Sequence, residues 1–227
     1  MIKSFEEAVS VKIIGMTQPV VDFIPDSEGL ISYAARVSSP QNQENFDTAV
    51  KLLNYCAEHG HWSVFEMADV VIEVCSPRDI SRQILRHKSG SFQEFSQRYA
   101  EVSDDMFVWR EARLQDTKNR QNSVQVEDND LQEWWRVKQE RVIEFAKQAY
   151  KEALEKGVAK ECARVVLPEG NTMSRMYFKA PIRTMIHYCS KENGVRRGNG
   201  TQLEHDLVAQ RTAKLLQSYF PSIFKEE

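Results

Sequence analysis

The stretch from Ala68 to Tyr99, ADVVIEVCSPRDISRQILRHKSGSFQEFSQRY, decides the fold because its structural period changes along its length. From Ala68 to Cys75 side chains alternate, with Val70, Ile72 and Val74 on one face and Asp69 and Glu73 on the other. That is the pattern of a strand covered on one side. Ser76 and Pro77 then mark a helix start, since serine caps, proline suits the first turn, and Asp79 stands where a capping-box carboxylate would. Ile80 and Ile84 face a core, and Gln83, Arg86 and His87 share one face at the helix end. Ser89-Gly90-Ser91 reads as a turn, and an extended stretch follows it.

Working outward, Ser10 to Met16 reads as a first strand and Gly29 to Val37 as a short helix stopped by Ser38-Ser39-Pro40. Phe46, Ala49, Val50, Leu53 and Ala57 recur at helical spacing up to Gly60. Arg113 to Asp130 is polar and predicts an exposed, mobile loop, a candidate lid. Asn129 or Asp130 caps a long helix from about Leu131 to Lys156, with Trp134, Val137, Phe145, Ala149 and Ala153 among its buried positions. Thr172 to Lys179 is extended. Pro181 opens a helix that carries Arg183 and His187 on one face, and a last helix runs from Gln202 to Ser218.

The length of 227 residues suits one domain, residues 1–227, with helical additions. No apolar run is long enough for a bilayer and no signal peptide is evident, so neither a membrane nor export is expected and the cytoplasm is. A net charge of −3 argues against a nucleic-acid partner. Cys56, Cys75, Cys162 and Cys189 lack disulfide or metal spacing and read as reduced intracellular thiols. The five histidines form no zinc pattern, so no metal is expected.

The chemistry gathers in Arg86-His87-Lys88 and the residues up to Tyr99. Three fixed cations, one carboxylate and several hydroxyls lie within fourteen positions. Guanidinium and ammonium groups neutralise phosphate, hydroxyls orient it, and a carboxylate accepts from a sugar or base. A solvated, salt-bridged loop is the alternative for such a charged run. The order Arg86-His87, Glu94, Ser96, Arg98, Tyr99 resembles the signature of the flavin-dependent thymidylate synthases: Arg-His-Arg, seven residues, then Ser, within Glu-x-Ser-x-Arg-Tyr. His59-Gly60-His61 with Ser63, Ala163-Arg164 before Leu167-Pro168, and Arg196 with Gln202 and Glu204 extend the likeness from about Ser32 to Leu215. Lys88 replaces the family's usual arginine, Pro181 an asparagine and Gly200 a histidine.

The resemblance implies an α+β fold with a central, mainly antiparallel sheet flanked by helices. It implies that His61, Ser63, Arg86, His87, Lys88, Glu94, Arg183 and His187 bind FAD. Gln83, Arg86, Glu94, Phe95, Ser96, Gln97, Arg98, Arg164 and Arg196 would bind dUMP. Arg196 would also act catalytically, stabilising negative charge on the pyrimidine, although Arg197 beside it leaves a one-residue shift open. Methylenetetrahydrofolate would supply carbon and NADPH would reduce the flavin, with no cysteine nucleophile and with active sites shared in a homotetramer. Taken alone, His61 and Ser63 also suit a turn, Arg164 a snorkelling surface position, and Arg183 with His187 the wet face of a helix. Two other functions stay open: a relative making 5-hydroxymethyl-dUMP, and a nucleotide-binding protein without turnover.

Overall fold

The computed structural model describes residues 2–198 and 200–225. Its elements run β1 (Lys3–Ser4), α1 (Phe5–Ala8), β2 (Ser10–Met16), α2 (Ser27–Ala35), α3 (Ala49–Glu58), β3 (Asp69–Pro77), α4 (Arg78–Ile84), β4 (Ser91–Glu94) and β5 (Val108–Trp109). The hairpin strands β6 (Arg113–Gln115) and β7 (Ser123–Gln125) follow. Then come α5 (Asn129–Glu155), α6 (Lys160–Ala163), β8 (Met173–Pro181), α7 (Ile182–Cys189) and α8 (Leu203–Gln217). The main sheet is mainly antiparallel, in the order β2-β3-β8-β4, and helices flank it. On β3 the expected alternation holds, with Val70, Ile72 and Val74 fully buried.

Two compact units divide the chain. The first comprises Met1–Ser10, Val74–His87 and Gln93–Met176, and the second Val11–Glu73, Lys88–Phe92 and Tyr177–Glu227. In the first, α5 contributes Ile143 and Tyr150 to a cluster with Val102, Phe107, Ala163 and Leu167. In the second, α2 packs with α3, and α7 with α8, around Ile31, Leu53, Phe65, Met185 and Val208. Glu28 ties Ser222 into this unit by accepting from its backbone N–H at 2.9 Å and its hydroxyl at 2.7 Å. Burial pushes the Glu28 carboxyl above the usual carboxylate range.

Three local expectations are corrected. Ser76 does not cap α4: it belongs to β3, is buried, and lies 3.0 Å from the Ser81 hydroxyl. Pro77 holds the cap position instead, and Asp79 leaves the box to take a two-pronged bond from Arg110 at 2.8 and 2.5 Å. The segment 113–130 is no plain loop, since β6 and β7 pair antiparallel with Leu114 opposite Val124. Asp116 sets that turn by accepting from the N–H groups of Lys118 and Asn119 at 2.7 and 3.0 Å. On α5, Trp134 and Phe145 are 54% and 76% exposed. The buried stripe is Gln139, Ile143, Ala146 and Tyr150, at helical intervals. Its first member is polar and bonds the backbone of Arg110 on both sides, 2.9 and 2.7 Å, which hides the stripe from hydrophobicity.

The turn between α4 and β4 tolerates one residue type. A Cβ on Gly90 would stand 2.1 Å from the Phe178 ring and 3.2 Å from the Lys179 carbonyl oxygen. Phe178 is fully buried and stacked on Phe92, 4.6 Å between centroids, so it has nowhere to go. Gly90→Ala should therefore destabilise the protein by about 1–3 kcal/mol, the range for overpacking a filled core. Urea unfolding of the variant beside wild type checks this, and equal midpoints would show that Phe178 yields.

Candidate active site

The first unit holds most of the residues expected to bind substrate. Helix α4 ends at Ile84, and the chain turns with Arg86 N–H donating to the Gln83 carbonyl at 3.3 Å and His87 N–H to Ile84 at 3.0 Å. Strand β4 then delivers Glu94, whose carboxylate accepts from Arg82 Nη1 at 2.9 Å and Ser174 Oγ at 2.8 Å, with Arg78 at 3.8 Å. One more ladder bond, Phe95 N–H to the Arg175 carbonyl at 2.8 Å, extends the strand before the chain coils at Ser96. The Ser96 hydroxyl accepts from Arg98 N–H at 3.3 Å, a turn contact rather than an approach to a general base. Arg98 pairs with Glu161 at 3.1 Å and lies 5.9 Å over the Tyr99 ring, all on the exposed surface.

A cavity of about 480 Å³ opens beside these residues, bordered by Arg78, Arg82, Gln97, Glu161, Arg164, Val165, Leu167 and Glu169. It brings together Gln97 and Arg164 of the expected set. Gln83, Arg86, Ser96 and Arg98 do not border it. Arg78 and Arg82 were passed over in the sequence because they precede the signature on an ordinary-looking helix. Their three- and four-residue spacings to Ser81, Arg82 and Arg86 gave the available clue. A larger cavity, about 510 Å³, lies between the β6–β7 hairpin and the start of α5, among Trp109, Glu111, Glu127, Gln132 and Arg136. None of the expected site residues borders it.

The second unit carries His61, Ser63, Lys88, Arg183, His187 and Arg196. His61 and Ser63 flank Trp62 where the short 3₁₀ turn Trp62–Glu66 begins, and neither side chain caps it. The Trp62 ring meets the His187 ring edge-on at 4.5 Å. Arg183, one turn earlier on α7, pairs with Glu66 at 2.5 Å. Burial, then the Arg183 charge, holds the His187 imidazole below its usual range. Residues 194–196 fold back on α7, with Val195 N–H donating to the His187 carbonyl at 2.8 Å and Arg196 N–H to Tyr188 at 3.1 Å. Arg197 is committed elsewhere: its Nη1 donates to the Cys189 carbonyl at 3.0 Å and its Nε lies 3.5 Å from Asp206. The flavin set is thus divided, with Arg86, His87 and Glu94 in the first unit and the rest in the second.

Comparison with known proteins places the chain in a family. The family model described as thymidylate synthase complementing protein matches residues 19–222. The chain belongs to the flavin-dependent thymidylate synthase family. A probable flavin-dependent thymidylate synthase of Paramecium bursaria Chlorella virus 1 is 46% identical over 217 residues, covering 96% of this chain and 98% of that one. The flavin-dependent thymidylate synthase of Synechocystis sp. is 47% identical over 218 residues, covering 95% and 97%. In fold, the chain is similar to a UMP/dUMP methylase, PolB from Streptomyces cacaoi, solved with 5-Br dUMP. That likeness has a TM-score of 0.80 at 22% identity and covers 99% of this chain and 95% of the other. Family membership makes the chain a flavin-dependent methyltransferase. Among the described residues, no helix is long and apolar enough to cross a membrane.

The environment of His187 makes a pH prediction. A folded-state midpoint below the unfolded one means that the unfolded chain takes up the proton first. His187 therefore favours the native state above the ordinary imidazole midpoint, and that contribution is lost as the pH falls through the lower folded one. NMR titration of the ring protons should give a midpoint below about 6.5. Arg183→Gln should move it back up, and no movement would leave burial as the whole cause.

Proposed function

We propose that this chain converts dUMP to dTMP by reductive methylation, with methylenetetrahydrofolate as the carbon donor and NADPH as the reductant through FAD. The observation that carries the reading is the arginine-lined cavity bordered by Gln97 and Arg164, a basic, donor-rich space suited to a phosphorylated nucleotide. Glu94, fixed by Arg82 and Ser174, offers an oriented carboxylate for the nucleotide.

The uracil ring is a poor nucleophile at C5, so negative charge must be supported at N3 and O2 as the new carbon bond forms. A fixed guanidinium does that without reorganisation. Arg196 is assigned the role. Loss of the C5 proton then restores the C5–C6 double bond, and the methylene–nitrogen bond breaks to release tetrahydrofolate. No cysteine borders the cavity, and burial raises the Cys56 thiol away from its thiolate, which supports a route without a cysteine nucleophile.

The residues assigned to FAD fit its chemistry. Lys88 is exposed, Arg183 is half-exposed, and the Ser63 hydroxyl and His61 add donors, a set suited to a pyrophosphate. His187, kept neutral beside Trp62, has a free choice of donor or acceptor toward a heterocycle. Bound flavin supplies the two electrons that bring the transferred carbon to a methyl group, while the protein binds, orients and shields. The family resemblance supports a homotetramer with active sites shared between chains, working in the cytoplasm.

Incubating the protein with dUMP, methylenetetrahydrofolate and NADPH should add the mass of a methyl group only when FAD is present. A hydroxymethyl-sized gain would move the reaction to 5-hydroxymethyl-dUMP instead. Arg196→Ala should lower turnover by about 100-fold or more while keeping the flavin absorbance. Turnover equal to wild type would remove Arg196 from the mechanism.

A further inference from the structure

Gln97 Nε2 is a buried donor, and it borders the same cavity as Arg78, a largely buried guanidinium whose ion pairs are long. The Arg78 side chain is 10% exposed, yet its nearest carboxylate oxygens, on Glu94 and Glu169, both stand at 3.8 Å. That is beyond hydrogen-bond reach. Gln97 is 3% exposed, and its Nε2 meets no acceptor among the described residues. A buried guanidinium and a buried amide donor each carry a free-energy cost unless an acceptor meets them. Arg82 has no such need, because its Nη1 donates to Glu94 at 2.9 Å.

Charge points the same way. Arg78, Arg82 and Arg164 border the cavity with Glu161 and Glu169. Adding Glu94 and Arg98, which pair with residues of that border, sets four guanidinium groups against three carboxylates. Burial works against the Arg78 charge, and Arg82 adds to that, while Glu94 and Glu169 only partly offset it. A ligand that relieves this arrangement must be anionic and must accept from several directions at once. A flat carboxylate or a neutral uracil carbonyl meets fewer of these donors than a tetrahedral phosphate with three acceptor oxygens.

We propose that Arg78 is a further substrate-binding residue, its guanidinium and the Gln97 amide together taking the phosphate monoester of the nucleotide. The assignment rests on reading this cavity as the nucleotide site. It places a binding residue eight positions ahead of Arg86, where the signature begins. The phosphate, more than the base, then sets the entry requirement at this end of the site.

Calorimetric titration of dUMP and of deoxyuridine, which lacks the phosphate, separates the possibilities. Arg78→Met keeps the length of the side chain and removes its charge and donors. It should weaken dUMP by about 10- to 100-fold, the span of lost charge-assisted hydrogen bonds, and leave deoxyuridine within about two-fold. Arg78→Lys keeps the charge without the planar fork and should fall between. It also supplies the reading if the methionine variant does not fold. An unchanged dUMP affinity, or equal weakening of dUMP and deoxyuridine, would overturn the assignment while leaving the nucleotide site standing. Folded wild-type protein that binds no dUMP would overturn the nucleotide reading and this assignment with it.

Discussion

The carboxylate of Glu94 is the point on which the first unit's site is organised. It receives Arg82 from α4 and Ser174 from β8, and it stands at the end of β4, so one charged group joins three elements. Removing either donor would leave a poorly solvated carboxylate, and removing the carboxylate would leave Arg82 beside Arg78 with less to balance them. Charge-assisted bonds of this kind are directional, so they fix where β4 ends and where the following turn begins. Ser96, Gln97 and Arg98 take their places from that end point.

The second unit is organised differently. There four of the candidate groups, His61, Ser63, Arg183 and His187, lie on α7 or at the turn Trp62–Glu66, and the apolar face of α7, with Ile182, Met185 and Ile186 buried, sets the direction of its pair. Arg183 and His187 then emerge on the opposite face because four residues make about one turn. Packing decides the orientation and the polar groups follow. In the first unit polar contacts themselves do the fixing, and the two strategies meet different demands: charge neutralisation in one, presentation of neutral and cationic donors in the other.

Much of this was legible in the sequence. The alternation Val70, Ile72, Val74 gave β3, the apolar residues of 182–189 gave α7, the signature gave Glu94, Ser96 and Gln97 their candidacy, and the run Ala163-Arg164 before Leu167-Pro168 gave Arg164 its own. The failures have a common physical source. Ser76 and Asp79 matched a capping pattern by type and spacing, but each met a stronger partner, Ser81 within the core and Arg110 from a distant segment. Gln139 occupies a core position that hydrophobicity assigns to an apolar residue, so the buried stripe of α5 was displaced toward Trp134 and Phe145. The hairpin at 113–125 rests on Asp116 and its turn bonds, a local device within a strongly polar run. In each case a side-chain-to-backbone or long-range polar bond overrode a pattern that depends on residue type alone.

The contact between Trp62 and His187 has an optical consequence. The chain has four tryptophans, Trp62, Trp109, Trp134 and Trp135, of which the last two lie on the open face of α5. Trp62 has an imidazole against its ring, 4.5 Å away, on the helix that carries candidate flavin contacts. A protonated imidazole quenches indole emission and a neutral one does so far less. Indole fluorescence at that position thus reports the charge of a candidate site residue without any label, and replacing the two solvent-facing tryptophans of α5 would leave Trp109 as the one other emitter against which it is read.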